Sequence, residues 1–263
     1  MNLTVNSSED IQSWNEIIRS FPESHFMQTR EWGQVKMQYG WQPIFKTWRE
    51  GEKIFAAAMI LMRTVRFSFL PFKWRILYIP KGPLLGDWTN HDHRKTVLQD
   101  LQHIAVKNQA IFIKIDPDIT MGYGFPAEEG YTETELGKNV MDQLSNNGWV
   151  FSKEQIQFRN TVIIDITQDE AKLLENMKQK TRYNLRLAGK KGVTTRLGRE
   201  QDFDILYQMY AETAVRDKFI IREKGYYHTL WTTFYRANMA RPIIASIDEL
   251  DIAGLIIFHF SNK

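Results

Sequence analysis

A helix, a strand, an acidic turn and an Ala-rich strand follow one another twice along this chain, and that repetition restricts its fold more than any other feature. The first copy has an amphipathic stretch after Thr29, then the segment from Phe45 to Ile60 turning at Glu50-Gly51. The second has a helical stretch near Glu223 to Asn238, then Pro242 to Ile247 and Ile252 to Phe260 around Asp248-Glu249-Leu250-Asp251. A chain of 263 residues has room for two domains of about 100–150 residues each. The expected architecture is therefore α/β with two similar domains, 1–155 and 156–263, whose boundary lies near Val150 to Thr161. The first copy continues past its hairpin, whereas the second stops just after it. The second domain is thus expected to be incomplete and the chain truncated. Ile252 to Phe260, nearly all apolar, reads as a strand covered on both faces. Without a neighbour it is expected to expose an edge and an apolar face that favour self-association.

The finer pattern fills in the elements. Ser7 or Ser8 would cap a first helix carrying Ile11, Trp14, Ile17, Ile18 and Phe21, and a second begins after Thr29 and ends at Gly40. Strands are expected at Trp41 to Trp48, Ile54 to Met62, Arg75 to Ile79 and Ala110 to Ile115, with a helix over His91 to Lys107. A helix near Thr134 to Asn146 and a short strand at Trp149 complete the first half. In the second half, Thr161 to Ile166 reads as a strand, and Thr167-x-x-Glu170 as a capping box opening a helix that runs on to Gly192. Val193 to Leu197 follows as a strand, with a helix near Asp202 to Val215 before the second hairpin. This is the element order of an acetyltransferase-like (GNAT-type) α/β domain.

Composition narrows the chemistry. With 43% hydrophobic and 25% charged residues the chain is globular, and with no cysteine it has neither disulfides nor thiolate chemistry. The N-terminus lacks a basic-then-apolar signal pattern, which points to the cytoplasm. The most hydrophobic window, Ile54 to Phe72, is interrupted by Arg63, Arg66 and Pro71, so no spanning helix is expected. His91 and His93 have no third ligand at useful spacing, so no metal site is expected. The basic-aromatic run Arg63 to Arg75 suits either an anionic membrane face or a buried strand with charged ends.

Three places carry candidate chemistry. Tyr78-Ile79-Pro80-Lys81-Gly82-Pro83 closes an apolar run. Its prolines fix φ, and Gly82 permits positive φ, so Lys81 is presented on a stiff loop. Asp116, beside Pro117 at the end of a buried-type strand, is either a desolvated base toward an amine or a carboxylate satisfying turn amides. Lys178, Arg182, Arg186 and Lys190 recur every fourth residue, and a step of four rotates only ~40° on a helix. They form one basic stripe with no acidic residue between Met177 and Gly192. Such a stripe is either a solvated face or a contact for phosphates, with RNA favoured.

Arg186-Leu187-Ala188-Gly189-Lys190-Lys191-Gly192, the segment Phe26 to Trp41 around Lys36, and Thr213 to Phe219 followed by Tyr226-Tyr227 together resemble the Fem family of peptidoglycan-bridge aminoacyltransferases. The resemblance spans nearly the whole chain and is to the compact FemX-like branch without the long helical hairpin. It implies transfer of an amino acid from aminoacyl-tRNA, with no cofactor or metal, onto the stem peptide of a peptidoglycan precursor. That acceptor would be UDP-MurNAc-pentapeptide or the lipid-linked form, the latter reached at the inner face of the membrane. Lys36 and Arg216 would then hold the precursor diphosphate, and Tyr78, Lys81 and Tyr227 would line its groove. Asp116 would lie near the acceptor amine, and Lys178, Arg182, Arg186 and Lys190 would meet the tRNA. The family's closing Phe-Lys segment has no match here. Two other readings stay open. One is a non-catalytic relative that binds tRNA or another anionic polymer. The other is an acyl-coenzyme A N-acyltransferase, against which the missing pyrophosphate loop argues.

Overall fold

A computed structural model of the chain describes residues 12–66, 73–125 and 128–262. The expected cap at Ser7 or Ser8 lies outside the described residues, and so do residues 67–72 of the basic-aromatic run. The chain divides into two compact units, residues 1–157 with 260–263, and residues 158–259.

In the first unit, α1 (Trp14–Arg19) and α2 (Arg30–Gln38) precede a hairpin of β1 (Gln42–Glu50) and β2 (Lys53–Arg66). The Thr29 side chain accepts from the Trp32 amide and so starts α2 where the sequence places it. β3 (Lys73–Ile79) pairs antiparallel with β2, and the short β4 (Leu84–Leu85) also lies on β2. α3 (His91–Lys107), capped by the Asn90 carboxamide, crosses over to β5 (Ala110–Ile115), which pairs parallel with β3. The β-ribbon β6 (Gly122–Tyr123) and β7 (Thr132–Glu133) leads into α4 (Glu135–Asn146).

Sheet order β1-β2-β3-β5 places β2 in the interior, which explains its alanines. Ala56, Ala58 and Ile60 belong to a core with Leu77, Ile79, Val97, Leu101 and Val140, under α3 and α4. The alternate residues Ala57, Met59 and Leu61 are buried too. On the α2 side the approach is close, since a Cβ on Gly33 would lie 3.2 Å from Met59 Sδ. Trp149 is packed against the core but forms no strand.

The second unit holds α5 (Glu170–Asn176), α6 (Gln179–Lys190), β8 (Thr194–Leu197), α7 (Phe203–Asp217), α8 (Lys224–Arg236), β9 (Ala240–Ile247) and β10 (Leu250–Phe258). Its antiparallel sheet has the order β10-β9-β8. The helices bury Phe203, Leu206, Leu230, Trp231 and Phe234. A Cβ on Gly254 of β10 would lie 2.2 Å from Leu206 Cδ2, so the glycine lets the buried Leu206 side chain of α7 pack directly on the strand.

Several expectations for this unit are corrected. Thr161 to Ile166 is not a strand, and Val162, Ile163, Ile164 and Ile166 are exposed. Among the described residues no strand pairs with that segment, and β-propensity without a partner does not make a sheet. The cap of α5 is Asp169, which accepts from the Lys172 amide; Thr167 instead donates to Asp165. The basic segment is not one helix. Met177 (ψ 150°) and Lys178 (ψ 144°) are extended and separate α5 from α6. β10, by contrast, behaves as expected for a strand without a second neighbour: among the described residues it pairs only with β9, and Ile252, Leu255 and Ile257 are exposed.

The two hairpins share a register. In the first, Glu50 faces Lys53 across a two-residue turn, Arg49 faces Ile54, and pairing resumes at Trp48 and Ala56, which leaves Phe55 bulged. In the second, Ile247 faces Leu250 across a turn of the same length, Ser246 faces Asp251, and pairing resumes at Ala245 and Ala253, which leaves Ile252 bulged. Turn length, bulge position and the alanine after the bulge coincide. A bulge sets local twist and side-chain facing, so the repetition extends to the geometry of the strands.

Candidate active site

The ends of the parallel pair β3–β5 bring three candidate residues together. Ile79 faces Ile115 in register, so the turn at Pro80–Pro83 and the segment from Asp116 leave the sheet at the same carboxyl end, where open α/β sheets place their ligands. Asp116 N–H donates to Gly82 O at 3.1 Å and ties the two segments. Leu77 and Ile79 enter the core, so Tyr78 between them faces the other way. Its hydroxyl donates to Asp116 Oδ2 at 3.2 Å and accepts from Gln157 Nε2 at 3.2 Å. Lys81 Nζ pairs with Asp118 Oδ1 at 3.0 Å. Lys114 donates to Ser152 Oγ at 3.0 Å and Glu154 O at 2.6 Å.

Burial dominates the electrostatics. It raises the Asp116 carboxyl above the ordinary aspartate range, against the opposing Lys81 charge and the Tyr78 hydrogen bond. Burial also raises the Tyr78 phenol far above its ordinary value, so Tyr78 is a neutral donor at physiological pH. A desolvated carboxylate beside a neutral phenol can accept a proton from an incoming amine.

The turn differs from expectation in one respect. Positive φ falls on Lys81 (φ 51°), not on Gly82. Gly82 is needed for space instead, because a Cβ there would lie 2.9 Å from Gln28 Nε2 and from Ile79 Cγ2. Gln28, buried in a short 3-10 turn over Phe26–Gln28, was not among the sequence candidates. Its Nε2 donates to Pro80 O at 2.5 Å, its Oε1 accepts from the Met59 amide at 2.7 Å, and its own carbonyl accepts from Trp14 Nε1 at 2.7 Å. Gln28 therefore holds the turn that presents Lys81. No sequence signal marks it, since its partners lie far along the chain.

Lys36, on α2 of the first unit, sets its ammonium 4.5 Å from the centre of the Trp32 ring. Arg216 and Tyr227 belong to the second unit. Arg216 is exposed at the end of α7 and donates to both Asp217 oxygens, at 2.9 and 3.2 Å. Tyr227 sits among Tyr207, Tyr210, Tyr226 and Trp231, and its hydroxyl accepts from the Arg222 amide at 3.5 Å. Burial, and then the hydrogen bond with Tyr227, pushes Tyr210 up to about 12.

The basic stripe divides by role. Arg182 caps the C-terminal end of α5, donating to Glu175 O at 2.8 Å and to Met177 O. Lys178, Arg186 and Lys190 are exposed and have no acidic partner among the described residues. His91 and His93 face Asp92 (3.6 Å) and Glu50 (3.7 Å) separately, and among the described residues no cluster of three ligating side chains occurs.

A model of the FemAB family matches residues 10–251. The lipid II:glycine glycyltransferase of Staphylococcus saprophyticus is 24% identical over 244 residues, covering 90% of this chain and 54% of that protein. Its counterpart in Staphylococcus aureus is 24% identical over 245 residues with the same coverage. The crystal structure of FemX superposes with a TM-score of 0.76 at 22% identity, over 94% of this chain and 58% of that one. A protein of unknown function from Bacteroides thetaiotaomicron aligns with a TM-score of 0.50 at 9% identity, over 97% of this chain and 75% of that one. The chain spans about half the length of the curated relatives it matches. With its mixed α/β fold that of FemX and the family pattern matched from residue 10 to residue 251, the chain belongs to the FemAB family.

Proposed function

We propose that this chain supplies the acceptor side of an aminoacyltransferase that adds an amino acid to the stem peptide of a peptidoglycan precursor. The observation that carries this reading is the desolvated Asp116 carboxylate, hydrogen-bonded by Tyr78 at the carboxyl ends of the parallel strands. The relatives' names favour a lipid-linked acceptor and a glycyl donor. No helix among the described residues is long and apolar enough to cross a membrane, so such an acceptor would be met from the membrane surface.

The donor is an amino acid esterified to tRNA. The stem-peptide amine nitrogen forms a bond to the ester carbonyl carbon, and the bond from that carbon to the tRNA ribose oxygen breaks. Asp116 takes the proton released by the amine, and the ribose oxygen leaves with a proton. The donor is already activated, so positioning and charge stabilisation are what the protein must add. Lys36 of the first unit suits a phosphate of the acceptor as a point charge, and Arg216 of the second suits one as a fork, with phosphate replacing Asp217. Tyr78 and Lys81 line the acceptor site in the first unit.

The test is transfer of radiolabelled glycine from charged tRNA to lipid-linked precursor. Labelled product is expected; RNA binding without product would instead support a non-catalytic relative. Lys36→Ala and Arg216→Ala should each weaken acceptor binding by ~1.5–3 kcal/mol, the loss of a charged hydrogen bond. Unchanged acceptor affinity in both would remove the diphosphate assignment.

For the RNA contact, Lys178, Arg186 and Lys190 are the residues available to phosphate. Arg186→Ala should leave thermal stability unchanged and lower the slope of log affinity against log salt by about 0.7–0.9. Arg182→Ala should destabilise the second unit by roughly 1 kcal/mol through the loss of the α5 cap. Equal behaviour of the two variants in both measurements would contradict this division of the stripe.

A further inference from the structure

Gln157 ends the long continuous stretch of the first unit, residues 1–157, and has no part in the assignment above. Its Nε2 donates to Tyr78 Oη at 3.2 Å, and Tyr78 Oη lies 3.2 Å from Asp116 Oδ2. The phenol has one proton and two neighbours. An amide NH2 offers no lone pair in that direction, so it cannot take that proton. The carboxylate can.

We infer that Gln157 is a positioning residue for Asp116, acting through Tyr78: its amide fills the acceptor side of the hydroxyl and commits the phenol proton to the carboxylate. Donation to the oxygen also polarises the O–H bond and strengthens what it gives to Asp116. A hydrogen bond to the charged form favours that form, so the relay opposes the effect of burial. It keeps Asp116 ionised, and therefore able to accept a proton, at lower pH than burial alone would allow. The other groups facing Asp116 are Lys81 on the turn and Lys114 on β5, whose charges act in the same direction, and Asp118, whose charge acts against it. Around Tyr78 the groups are Asp116 and Gln157. The catalytic meaning of the relay rests on Asp116 being the base of the proposed transfer. The relay itself does not depend on that reading.

The experiment is a carboxyl-carbon NMR titration of Asp116, with its signal assigned by its loss in Asp116→Asn. It compares the unaltered protein with Gln157→Leu, Tyr78→Phe and their double variant. Asp116 should titrate at higher pH in Gln157→Leu than in the unaltered protein. Adding Gln157→Leu to Tyr78→Phe should move it no further. Gln157→Glu, of the same shape, is the second variant: once ionised it competes for the phenol proton and repels Asp116, so the upward shift should exceed that of Gln157→Leu. An unmoved Asp116 titration in both Gln157 variants would overturn the inference, even if they lowered thermal stability. An equal shift with phenylalanine at position 78 would overturn it too, because Gln157 would then act by another route. The titration needs no turnover. A shifted Asp116 in a protein that fails to transfer would leave the relay standing and remove the catalytic reading. Where transfer is measured, the acid limb of its pH profile should move upward in the same variants.

Discussion

Asp116→Asn is expected to lower transfer by roughly 10²–10⁴-fold, the contribution of a positioned general base, while making the protein more resistant to heat at neutral pH. The two effects share one cause. Burial raises the folded-state pKa of Asp116 above its unfolded value, which is about 3.9. The folded protein therefore binds this proton more tightly than the unfolded chain does, and ionising the group opposes folding. Its unfavourable contribution is absent below the unfolded pKa, grows as pH rises through the interval up to the folded value, and is constant above that. Asparagine cannot ionise, yet its carbonyl can still accept from Tyr78. Melting temperatures of the two proteins should converge in acid and separate toward neutrality, with the variant higher. A variant that is less stable at pH 7, or one that transfers at the original rate, would deny Asp116 its desolvated, proton-accepting role. A site that costs stability in exchange for reactivity is an expected place for local energetics and fold to conflict.

How far the sequence reaches depends on whether a feature is declared locally. α3 matches its sequence bounds at both ends because Asn90 caps it and the apolar repeat runs out before the turn at Asn108 and Gln109. β5 stops at Ile115 because Asp116-Pro117 cannot extend the ladder. Hairpin turns are equally local. By contrast, Thr161 to Ile166 has the β-branched composition of a strand, but pairing belongs to the whole sheet and no local pattern reveals its absence. The break between α5 and α6 was hidden for a related reason. The basic repeat passes straight through Met177 and Lys178, while Arg182 reaching back to the α5 carbonyls is a three-dimensional event. Within the site, Tyr78, Lys81 and Asp116 were legible because they flank proline-marked strand ends. Gln28 and Gln157 were not. Each is an ordinary glutamine whose function comes from a partner 52 or 79 positions away.

The largest stability effect is expected far from this chemistry. Lys46 on β1 and Asp100 on α3 form an ion pair of 3.3 Å, with side chains only 10% and 12% exposed. Trp48 Nε1 donates to the same Asp100 oxygen at 2.9 Å. Asp100 thus joins sheet to helix and satisfies two buried donors. Asp100→Ala removes the only carboxylate paired with Lys46 among the described residues and strands both the ammonium and the indole N–H. Breaking one side of a buried pair costs about 3–5 kcal/mol, which in a chain of this size lowers the melting temperature by roughly 10 °C. The pair's net worth is a separate quantity, since desolvating two charges offsets most of their attraction. Lys46→Met combined with Asp100→Leu replaces both charges with apolar groups of similar size, leaving only the indole N–H to find a new acceptor. The double variant should therefore recover most of the loss, to within about 1–2 kcal/mol of the original. Thermal denaturation of the three proteins decides the matter. If Asp100→Ala costs less than about 1 kcal/mol, the Lys46 ammonium must reach water along its own stem. If the double variant is as unstable as the single one, Asp100 acts through the shape of the α3–β1 junction and not through charge.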